Sequence, residues 1–269
     1  DFGLIFGNPG GGKSWSLVAI GGHAVRLGYN VLHYTLELGE EYVGKRYDAF
    51  FTKIPVNKVD SHRDKIEDII PQLPGQLIIK EYPTGRASVS TIESHIAKST
   101  SMGVKPDLVL IDYVDLLSSR KTNRERKDEI DDIYTSTKGL ARQLNIPIWS
   151  VSQVNRAGAQ DKVIQGDKAA GSYDKIMITD FCMSLSRKKE DKVNNTGRFH
   201  LMKNRYGMDG ITFGVQADTS TGHFVVKDEY IEGEESDNLA PSLKSNKFDT
   251  DVDTFDKQLL RKKFFELNT

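Results

Sequence analysis

The chain has one cysteine, Cys182, no apolar run long enough to cross a membrane, and almost no net charge. A single cysteine excludes an internal disulfide and fits a reducing cytoplasm. A transmembrane helix needs about 18 or more apolar residues in a row, so we predict a cytoplasmic protein without membrane contact. We also expect no signal peptide, because an apolar stretch begins at residue 2. So abrupt a beginning predicts that upstream sequence is missing.

The net charge of −1 conceals an uneven distribution. Residues 227–255 contain nine acidic residues and three lysines, which leaves the rest of the chain net positive. A mildly basic body is compatible with nucleic-acid binding but does not require it. We interpret residues 228–255 as an acidic flexible linker. Apolar residues with helical spacing follow, and they predict an amphipathic helix over residues 256–269.

The pattern along the chain alternates between candidate strands and candidate helices. Strands are predicted at 2–6, 30–36, 77–82, 108–112 and 146–152, and helices at 14–27, 40–52, 90–102 and 129–144. This alternation indicates a parallel sheet with right-handed crossovers. Four short strands with brief connections then follow, at 181–187, 198–203, 211–216 and 223–227, and read as antiparallel additions. We therefore predict one α/β domain over residues 1–227, a mostly parallel sheet flanked by helices with antiparallel strands at its C-terminal side.

The most informative motif is Gly-Asn-Pro-Gly-Gly-Gly-Lys-Ser at residues 7–14, which fits the phosphate-binding loop pattern G-x-x-x-x-G-K-[ST]. Glycines let such a loop curl until several backbone N–H groups point at one anion. The loop joins a predicted strand to a predicted helix, whose N-terminus carries partial positive charge. The alternative is a chance glycine-rich turn. The residues expected to bind nucleotide are Gly7, Asn8, Pro9, Gly10, Gly11, Gly12, Lys13, Ser14 and Trp15.

Three polar residues end predicted strands, where the ligand crevice of an open α/β sheet lies. Asp112 follows an apolar strand and, together with the Ser14 hydroxyl, can hold Mg²⁺; the alternative is a turn former. Glu37 can polarise the water that attacks the γ-phosphate, or it is a solvated acid before a helix. Gln153 can sense the γ-phosphate, or it is an ordinary polar strand end. Their joint placement favours the functional interpretation.

Five stretches of the sequence resemble the C-terminal motor domain of DnaB-type replicative helicases of bacteria and phages. They are Tyr34-Thr-Leu-Glu-Leu, Leu110-Ile-Asp-Tyr-Val-Asp-Leu-Leu, Gly139-Leu-Ala-Arg-Gln-Leu-Asn-Ile-Pro-Ile, Ser150-Val-Ser-Gln-Val-Asn-Arg and Met202-Lys-Asn-Arg-Tyr-Gly. Their order and spacing are similar to the family from about residue 1 to 227. Many ATPases share the phosphate-binding loop, whereas this combination is far more specific.

The resemblance implies a RecA-like core that binds ATP and Mg²⁺ and forms a hexameric ring of identical subunits around single-stranded DNA. The resemblance implies a role for each of five residues. Lys13 corresponds to the family's phosphate-binding lysine, Ser14 to the hydroxyl that binds magnesium, and Asp112 to the magnesium-associated aspartate. Glu37 corresponds to the catalytic glutamate and Gln153 to the phosphate sensor. Lys203 and Arg205 map onto a pair that reaches a neighbour's γ-phosphate. Without the resemblance, a solvated hairpin pair is the simpler interpretation. Primase and a helicase loader are the further partners implied.

DNA contacts are expected on two loops that face the ring's centre. The residues concerned are Arg120, Lys121, Arg124, Arg126 and Lys127 in the first loop, and Arg156, Lys168, Gly171 and Ser172 in the second. Neither loop interleaves aromatic with basic residues, so we predict backbone tracking by charge and amides instead of base stacking. The alternative for the first loop is a solvated basic flap.

The chain also departs from the family pattern, which suggests a divergent member such as a viral one. Asp115 stands where many members have Gln, and residues 167–172 lack the Arg and Glu often found before Gly-Ser. The predicted function is an ATP-dependent helicase motor. Two alternatives stay open: a RecA-type recombinase or regulatory ATPase without unwinding activity, and a catalytically quiet nucleotide-binding scaffold. Strand displacement on a forked duplex distinguishes a helicase from the first alternative. Measurable ATP hydrolysis excludes the second.

Overall fold

A computed structural model describes residues 1–119, 125–154, 163–164 and 173–229. The strands within these ranges are β1 (Phe2–Gly7), β2 (Val31–Thr35), β3 (Leu77–Glu81), β4 (Leu108–Asp112), β5 (Ile148–Gln153), β6 (Phe181–Ser186), β7 (Thr196–Asn204), β8 (Thr212–Asp218) and β9 (His223–Glu229). The helices are α1 (Lys13–Arg26), α2 (Glu40–Thr52), α3 (Arg63–Ile69), α4 (Val89–Ser101), α5 (Arg126–Leu144), α6 (Tyr173–Ile178) and α7 (Lys189–Val193). The first two residues of the predicted linker, 228 and 229, belong to β9, whereas the rest of the linker and the predicted C-terminal helix lie outside the described residues.

All the described strands belong to one sheet with the order β3-β2-β4-β5-β1-β6-β7-β8-β9. The six strands from β3 to β6 in this order run parallel, and the last three are antiparallel, as predicted. One prediction needs correction, because β6 pairs in parallel with β1 and only its other edge pairs antiparallel with β7. The chain returns to β6 through α6, a crossover that keeps the strand direction, instead of through a hairpin.

Both faces of the central parallel strands β1, β2 and β4 are buried, which explains their near-continuous apolar sequence. In β1, Leu4 belongs to the cluster under α4 and α5, whereas its neighbour Ile5 belongs to the cluster under α1 and α2. The packing of α1 on α2 is close, because a Cβ at Gly22 would lie 2.3 Å from the Phe50 ring. We expect any larger residue there to force the two helices apart.

The predicted strands and long helices are confirmed, with ends displaced by at most a few residues. The short helices α3, α6 and α7 and the 3₁₀ helix Val56–Ser61 were not predicted. No helix in the described part of the chain has the length and apolarity that membrane crossing demands. The strand registers bring the residues of the candidate site together. Thr35 pairs with Asp112, and Gly7 pairs with Gln153, so the carboxyl ends of β1, β2, β4 and β5 meet at one edge of the sheet.

Candidate nucleotide-binding site

A cleft of about 320 Å³ lies at the carboxyl edge of β1, β2, β4 and β5. Its walls come from the glycine-rich loop, the turn after β2, helix α2, the strand ends and the β8–β9 turn. The lining residues are Pro9, Gly10, Gly12, Lys13, Ser14, Trp15, Glu37, Leu38, Arg46, Asp112, Tyr113, Val151, Gln153 and Thr219. The structure thus brings together five residues that the sequence predicts to act on a nucleotide.

The glycine-rich loop leaves the N-terminus of α1 open towards this cleft. Gly12 precedes α1 with φ of +98°, a left-handed conformation that favours glycine. A Cβ at Gly12 would lie 3.4 Å from Arg187 Nη1 and from the Thr219 side chain, so the cradle has little spare room. Among the described residues no side chain caps α1, and its first turn contains no acidic residue. The free N–H groups and the helix dipole therefore favour an anion at this position.

Lys13 is largely buried beside the loop. Its Nζ donates a hydrogen bond to the Asn8 carbonyl oxygen at 2.9 Å, which holds the side chain along the loop. Burial lowers the pKa of the Lys13 ammonium, although Asp112 and Glu37 act in the opposite direction. An anion in the cleft offsets this desolvation, so phosphate groups suit the position.

Asp112 is 1% exposed and stands next to Ser14. Burial raises the pKa of the Asp112 carboxyl, while the hydrogen bond from the Ser14 hydroxyl lowers it. Asp112 Oδ1 is buried and has no hydrogen-bond partner among the described residues. A buried carboxylate oxygen without a partner is costly unless a cation or an ordered water meets it.

These observations fit a magnesium ion held mainly by its substrate. Mg²⁺ usually keeps several waters and binds one or two carboxylates together with phosphate oxygens. Asp112 and Ser14 supply that small donor set, and the described residues contain no cluster of three or more His, Cys, Asp or Glu that would form an all-protein cage.

Glu37 lies in the turn between β2 and α2, with its side chain exposed to the cleft. The buried Thr35 hydroxyl shapes this turn, since it donates to the Leu38 carbonyl at 2.7 Å and accepts from the Leu38 N–H at 3.2 Å. The Leu36 N–H donates to the Asp112 carbonyl at 2.8 Å and fixes the turn to β4. The carboxylate is therefore held near Lys13 and Asp112 by backbone geometry.

Gln153 ends β5 beside Gly7, the first residue of the loop. Its side chain is exposed at the cleft, with room to meet the terminal phosphate of a ligand. Its role as a sensor of the γ-phosphate stays a prediction.

Sequence reasoning missed three residues of the site. Arg46 on α2 reaches the cleft with its guanidinium 5.0 Å from the centre of the Trp15 ring, a cation–π contact. Thr219 arrives from the β8–β9 turn. Arg187 lies behind Gly12, almost fully buried, and its Nη2 has no hydrogen-bond partner among the described residues. The sequence carries no local signal that would have revealed these residues. Arg46 is a single arginine in an amphipathic helix, Arg187 is a single arginine at a strand end, and Thr219 is one residue of a turn.

Lys203 and Arg205 are not among the residues that line the cleft. The Lys203 ammonium, on β7, donates to the carbonyl oxygens of Ile176 and Met177 at 2.8 and 2.7 Å. Arg205 follows β7 and pairs with Asp180 at 3.1 Å. Both cations are therefore held by their own chain at a distance from their own cleft, an arrangement compatible with action on a neighbouring subunit.

Two predicted DNA contacts, Arg126 and Lys127, lie at the start of α5. Arg126 Nη2 donates to the Asp115 carbonyl at 3.1 Å, and Lys127 pairs with Asp174 of α6 at 2.9 Å. The bases of the two predicted DNA loops are therefore adjacent. The other predicted contacts lie outside the described residues: Arg120, Lys121, Arg124, Arg156, Lys168, Gly171 and Ser172.

Comparison with protein families adds a decisive finding. The family model of the DnaB-like helicase C terminal domain matches residues 1–221. The DnaB-like replicative helicase of Enterobacteria phage T4 is 24% identical over 212 residues, which cover 73% of this chain and 44% of the phage protein. The chain therefore matches less than half of that relative's length.

Solved structures show the same fold. One of them, an isolated ATPase domain, superposes with a TM-score of 0.73 at 24% identity, and the match covers 85% of each chain. A DnaB-like replicative helicase, studied for its interactions with primase, gives a TM-score of 0.73 at 23% identity, over 84% of this chain and 58% of the other. The sheet and helices described above thus have the RecA-like fold of these structures.

Proposed function

Because the chain belongs to the family of DnaB-like helicase C-terminal domains, we propose that it is the ATP-driven motor of a replicative DNA helicase. In this proposal it moves along single-stranded DNA as part of a ring and unwinds duplex. One observation carries the proposal: Lys13, Ser14, Glu37, Asp112 and Gln153 line a single cleft at the carboxyl edge of the sheet.

Nucleotide binding follows from the loop and its helix. The backbone N–H groups before α1 and the Lys13 ammonium neutralise the phosphates of ATP. Ser14 and Asp112 would hold Mg²⁺, which would supply positive charge to offset the negative charge of the phosphates. Arg46 adds a second cation on the α2 side of the cleft. These residues act mainly by their position and their electrostatics, as phosphoryl transfer requires.

Hydrolysis requires a base and a stabiliser of transition-state charge. Glu37 is placed to accept a proton from the attacking water. Gln153, at the end of β5, contacts the terminal phosphate and reports its presence. Arg205 completes the site of a neighbouring subunit together with Lys203, as expected for cations that lie outside their own cleft. In this proposal ATP sits between two copies of the chain, and six copies form the ring.

DNA binds on the side of the molecule where α5 and α6 begin. Arg126 and Lys127 supply positive charge there, and contacts to phosphate make binding insensitive to sequence. The residues predicted on the two adjoining loops add to this surface. We further propose primase and a helicase loader as partners, in the cytoplasm of a bacterium or of a phage-infected cell.

A forked-duplex assay tests the proposal. The chain, assembled with Mg²⁺ and ATP, is mixed with a labelled fork that has a single-stranded tail, and displacement of the labelled strand is followed with time. We expect strand release that needs ATP and stops in Lys13→Met. DNA-stimulated hydrolysis without release would favour a recombinase-like or regulatory ATPase. The absence of hydrolysis would leave only a nucleotide-binding scaffold.

A further inference from the structure

Helix α6 lies where three functional parts of the molecule meet. It begins at Tyr173, directly after Ser172, the last residue predicted to contact DNA in the second loop. Its first turn pairs with α5 through the Asp174–Lys127 ion pair at 2.9 Å. Its C-terminal carbonyls, from Ile176 and Met177, accept hydrogen bonds from Lys203. The helix thus contacts the base of the first DNA loop and one cation of the proposed intersubunit pair.

A third link joins α6 to the nucleotide cleft through Lys175. The Lys175 ammonium pairs with Asp115 Oδ1 and donates to the Ser152 hydroxyl at 2.9 Å. The pair is largely buried, with 13% of the Lys175 side chain and 12% of the Asp115 side chain exposed. Tyr134 covers it, because its hydroxyl donates to Asp115 Oδ2 at 3.1 Å and the ammonium lies 5.3 Å from its ring centre.

The two partners of Lys175 lie close in the chain to residues of the cleft, although they do not line it themselves. Ser152 immediately precedes Gln153, the proposed phosphate sensor on β5. Asp115 lies in the 3₁₀ turn Val114–Leu116, directly after the strand that ends in Asp112. Ser150 fastens this turn to β5, since its hydroxyl donates to the Ile111 carbonyl at 2.7 Å and accepts from the Val114 N–H at 3.1 Å. A displacement of either strand end therefore reaches Lys175 through short polar contacts.

A buried ion pair is an energetically costly way to attach α6, a helix of six residues, to the rest of the domain. Removal of two charges from water costs energy, and an apolar contact of similar size often stabilises a fold as well. Buried ionic groups are retained in some systems because they specify one geometry. Here the pair fixes one spatial relation between α6 and the two strand ends.

We propose that Lys175 is a positioning residue that couples nucleotide occupancy of the cleft to DNA binding through α6. When the terminal phosphate changes the position of Gln153 or of the turn after Asp112, Ser152 and Asp115 carry α6 with them through Lys175. The surface where α5 and α6 begin, with Arg126 and Lys127, then changes its affinity for DNA. This inference rests on the proposed function, because it requires that the chain bind both ATP and single-stranded DNA.

The test measures the coupling itself. The dissociation constant of a fluorescent oligo(dT) is determined by anisotropy with and without a non-hydrolysable ATP analogue and Mg²⁺. The ratio of the two constants is the coupling factor, and we expect at least about fivefold for the wild-type chain. The neutral variant Asp115→Asn/Lys175→Met leaves no unpaired charge. We expect its coupling factor to fall below about twofold while its affinity for the analogue stays within about threefold of wild type.

A matched control removes another buried lysine next to α6. Lys138 pairs with Asp180 at 2.8 Å and donates to the Ile178 carbonyl, and 13% of its side chain is exposed, as for Lys175. Its partners in the described part of the chain do not include Ser152 or Asp115. We expect Lys138→Met to keep the wild-type coupling factor. Ser152→Ala, which removes one acceptor and no charge, serves as a milder variant if the double variant does not fold, and we expect it to lower the factor at least about twofold.

The outcomes are distinct. Wild-type coupling in both Asp115→Asn/Lys175→Met and Ser152→Ala overturns the role of Lys175 and leaves the proposed function intact. An equal loss in Lys138→Met shows general loosening of α6 and also overturns it. A wild-type chain that binds no oligonucleotide, or binds it without regard to the analogue, contradicts the proposed function and this inference with it.

Discussion

The nucleotide cleft and the end of β7 hold their cations in opposite ways. In the cleft, Lys13 makes one hydrogen bond with its own loop, and nearby polar atoms such as Asp112 Oδ1 have no partner among the described residues. At the end of β7, Lys203 donates to two carbonyls of α6 and Arg205 pairs with the buried Asp180. Polar groups of the cleft are available to bind a ligand. The two cations at the end of β7 are already bonded to groups of their own chain.

This difference indicates when each region can act. One chain places all the residues that line the cleft, and in the proposed function a neighbour adds only Lys203 and Arg205. In the proposed function, Lys203 and Arg205 exchange these partners in their own chain for a phosphate that a neighbouring subunit presents. The proposed intersubunit site is therefore expected to form on assembly, with a cost set by release of Asp180 and the α6 carbonyls.

The strongest way to break the comparison is Arg205→Ala. If Arg205 acts on a neighbour, we expect DNA-stimulated hydrolysis to fall by about 10³-fold or more, with little change in nucleotide affinity. Steady-state ATPase assays give the first quantity and calorimetry the second. Subunits with Arg205→Ala mixed with Glu37→Gln subunits should regain part of the activity, since some interfaces then combine two intact halves. A mixture no more active than the sum of its parts contradicts action across an interface.

Glu37→Gln sharpens the cleft side of the comparison. The substitution keeps size and removes the base, so we expect turnover to fall by about 10²–10³-fold with the analogue still bound. The control is Glu41→Gln, an exposed acid in the first turn of α2 that does not line the cleft. Similar turnover in the two variants, measured by phosphate release, argues against Glu37 as the base.

Thr35→Val tests whether backbone geometry positions Glu37. Valine has nearly the shape of threonine but cannot make the two hydrogen bonds to Leu38. We expect kcat to fall about tenfold, the size of one lost net hydrogen bond or slightly more, and nucleotide affinity to stay nearly constant. A change in affinity alone would show that the turn serves binding instead of catalysis.

The smallest effect is expected at the start of α4, whose capping residues do not line the cleft. Unlike α1, α4 is capped: the Ser88 hydroxyl accepts from the Thr91 N–H, and the Thr91 hydroxyl accepts from the Ser88 N–H. Ser88→Ala should lower the free energy of unfolding by about 1 kcal/mol and leave hydrolysis unchanged. Urea unfolding measures this, with Ser94→Ala of the same helix as control. A loss of ATPase activity in Ser88→Ala would mean that α4 contributes to the site.

The sequence predicts the residues of the cleft well where they form one contiguous motif or where a polar residue stands at the end of a strand. Residues 7–14 form a contiguous motif, and Glu37, Asp112 and Gln153 follow strands whose carboxyl ends must meet at one edge. Arg46, Thr219 and Arg187 could not be predicted in this way. They reach the site from a helix, a distant hairpin turn and a later strand, and only tertiary packing brings them to the loop.

The fold shows the same division. Long strands and helices follow from hydrophobic periodicity, whereas the direction of β6 depends on the crossover through α6, a helix too short to show a period. The Lys175–Asp115 ion pair could not be predicted from the sequence either. The two residues lie far apart in the chain, and an isolated charged residue usually lies on a solvated surface.

Calorimetric titration of the chain with a non-hydrolysable ATP analogue and Mg²⁺ tests the central claim most directly. We predict saturable binding of one analogue per chain, weakened about 100-fold or more by Lys13→Met, which removes a largely buried charge. Wild-type protein without affinity for the analogue at saturating Mg²⁺, or equal affinity in wild type and Lys13→Met, would contradict a motor driven from this cleft.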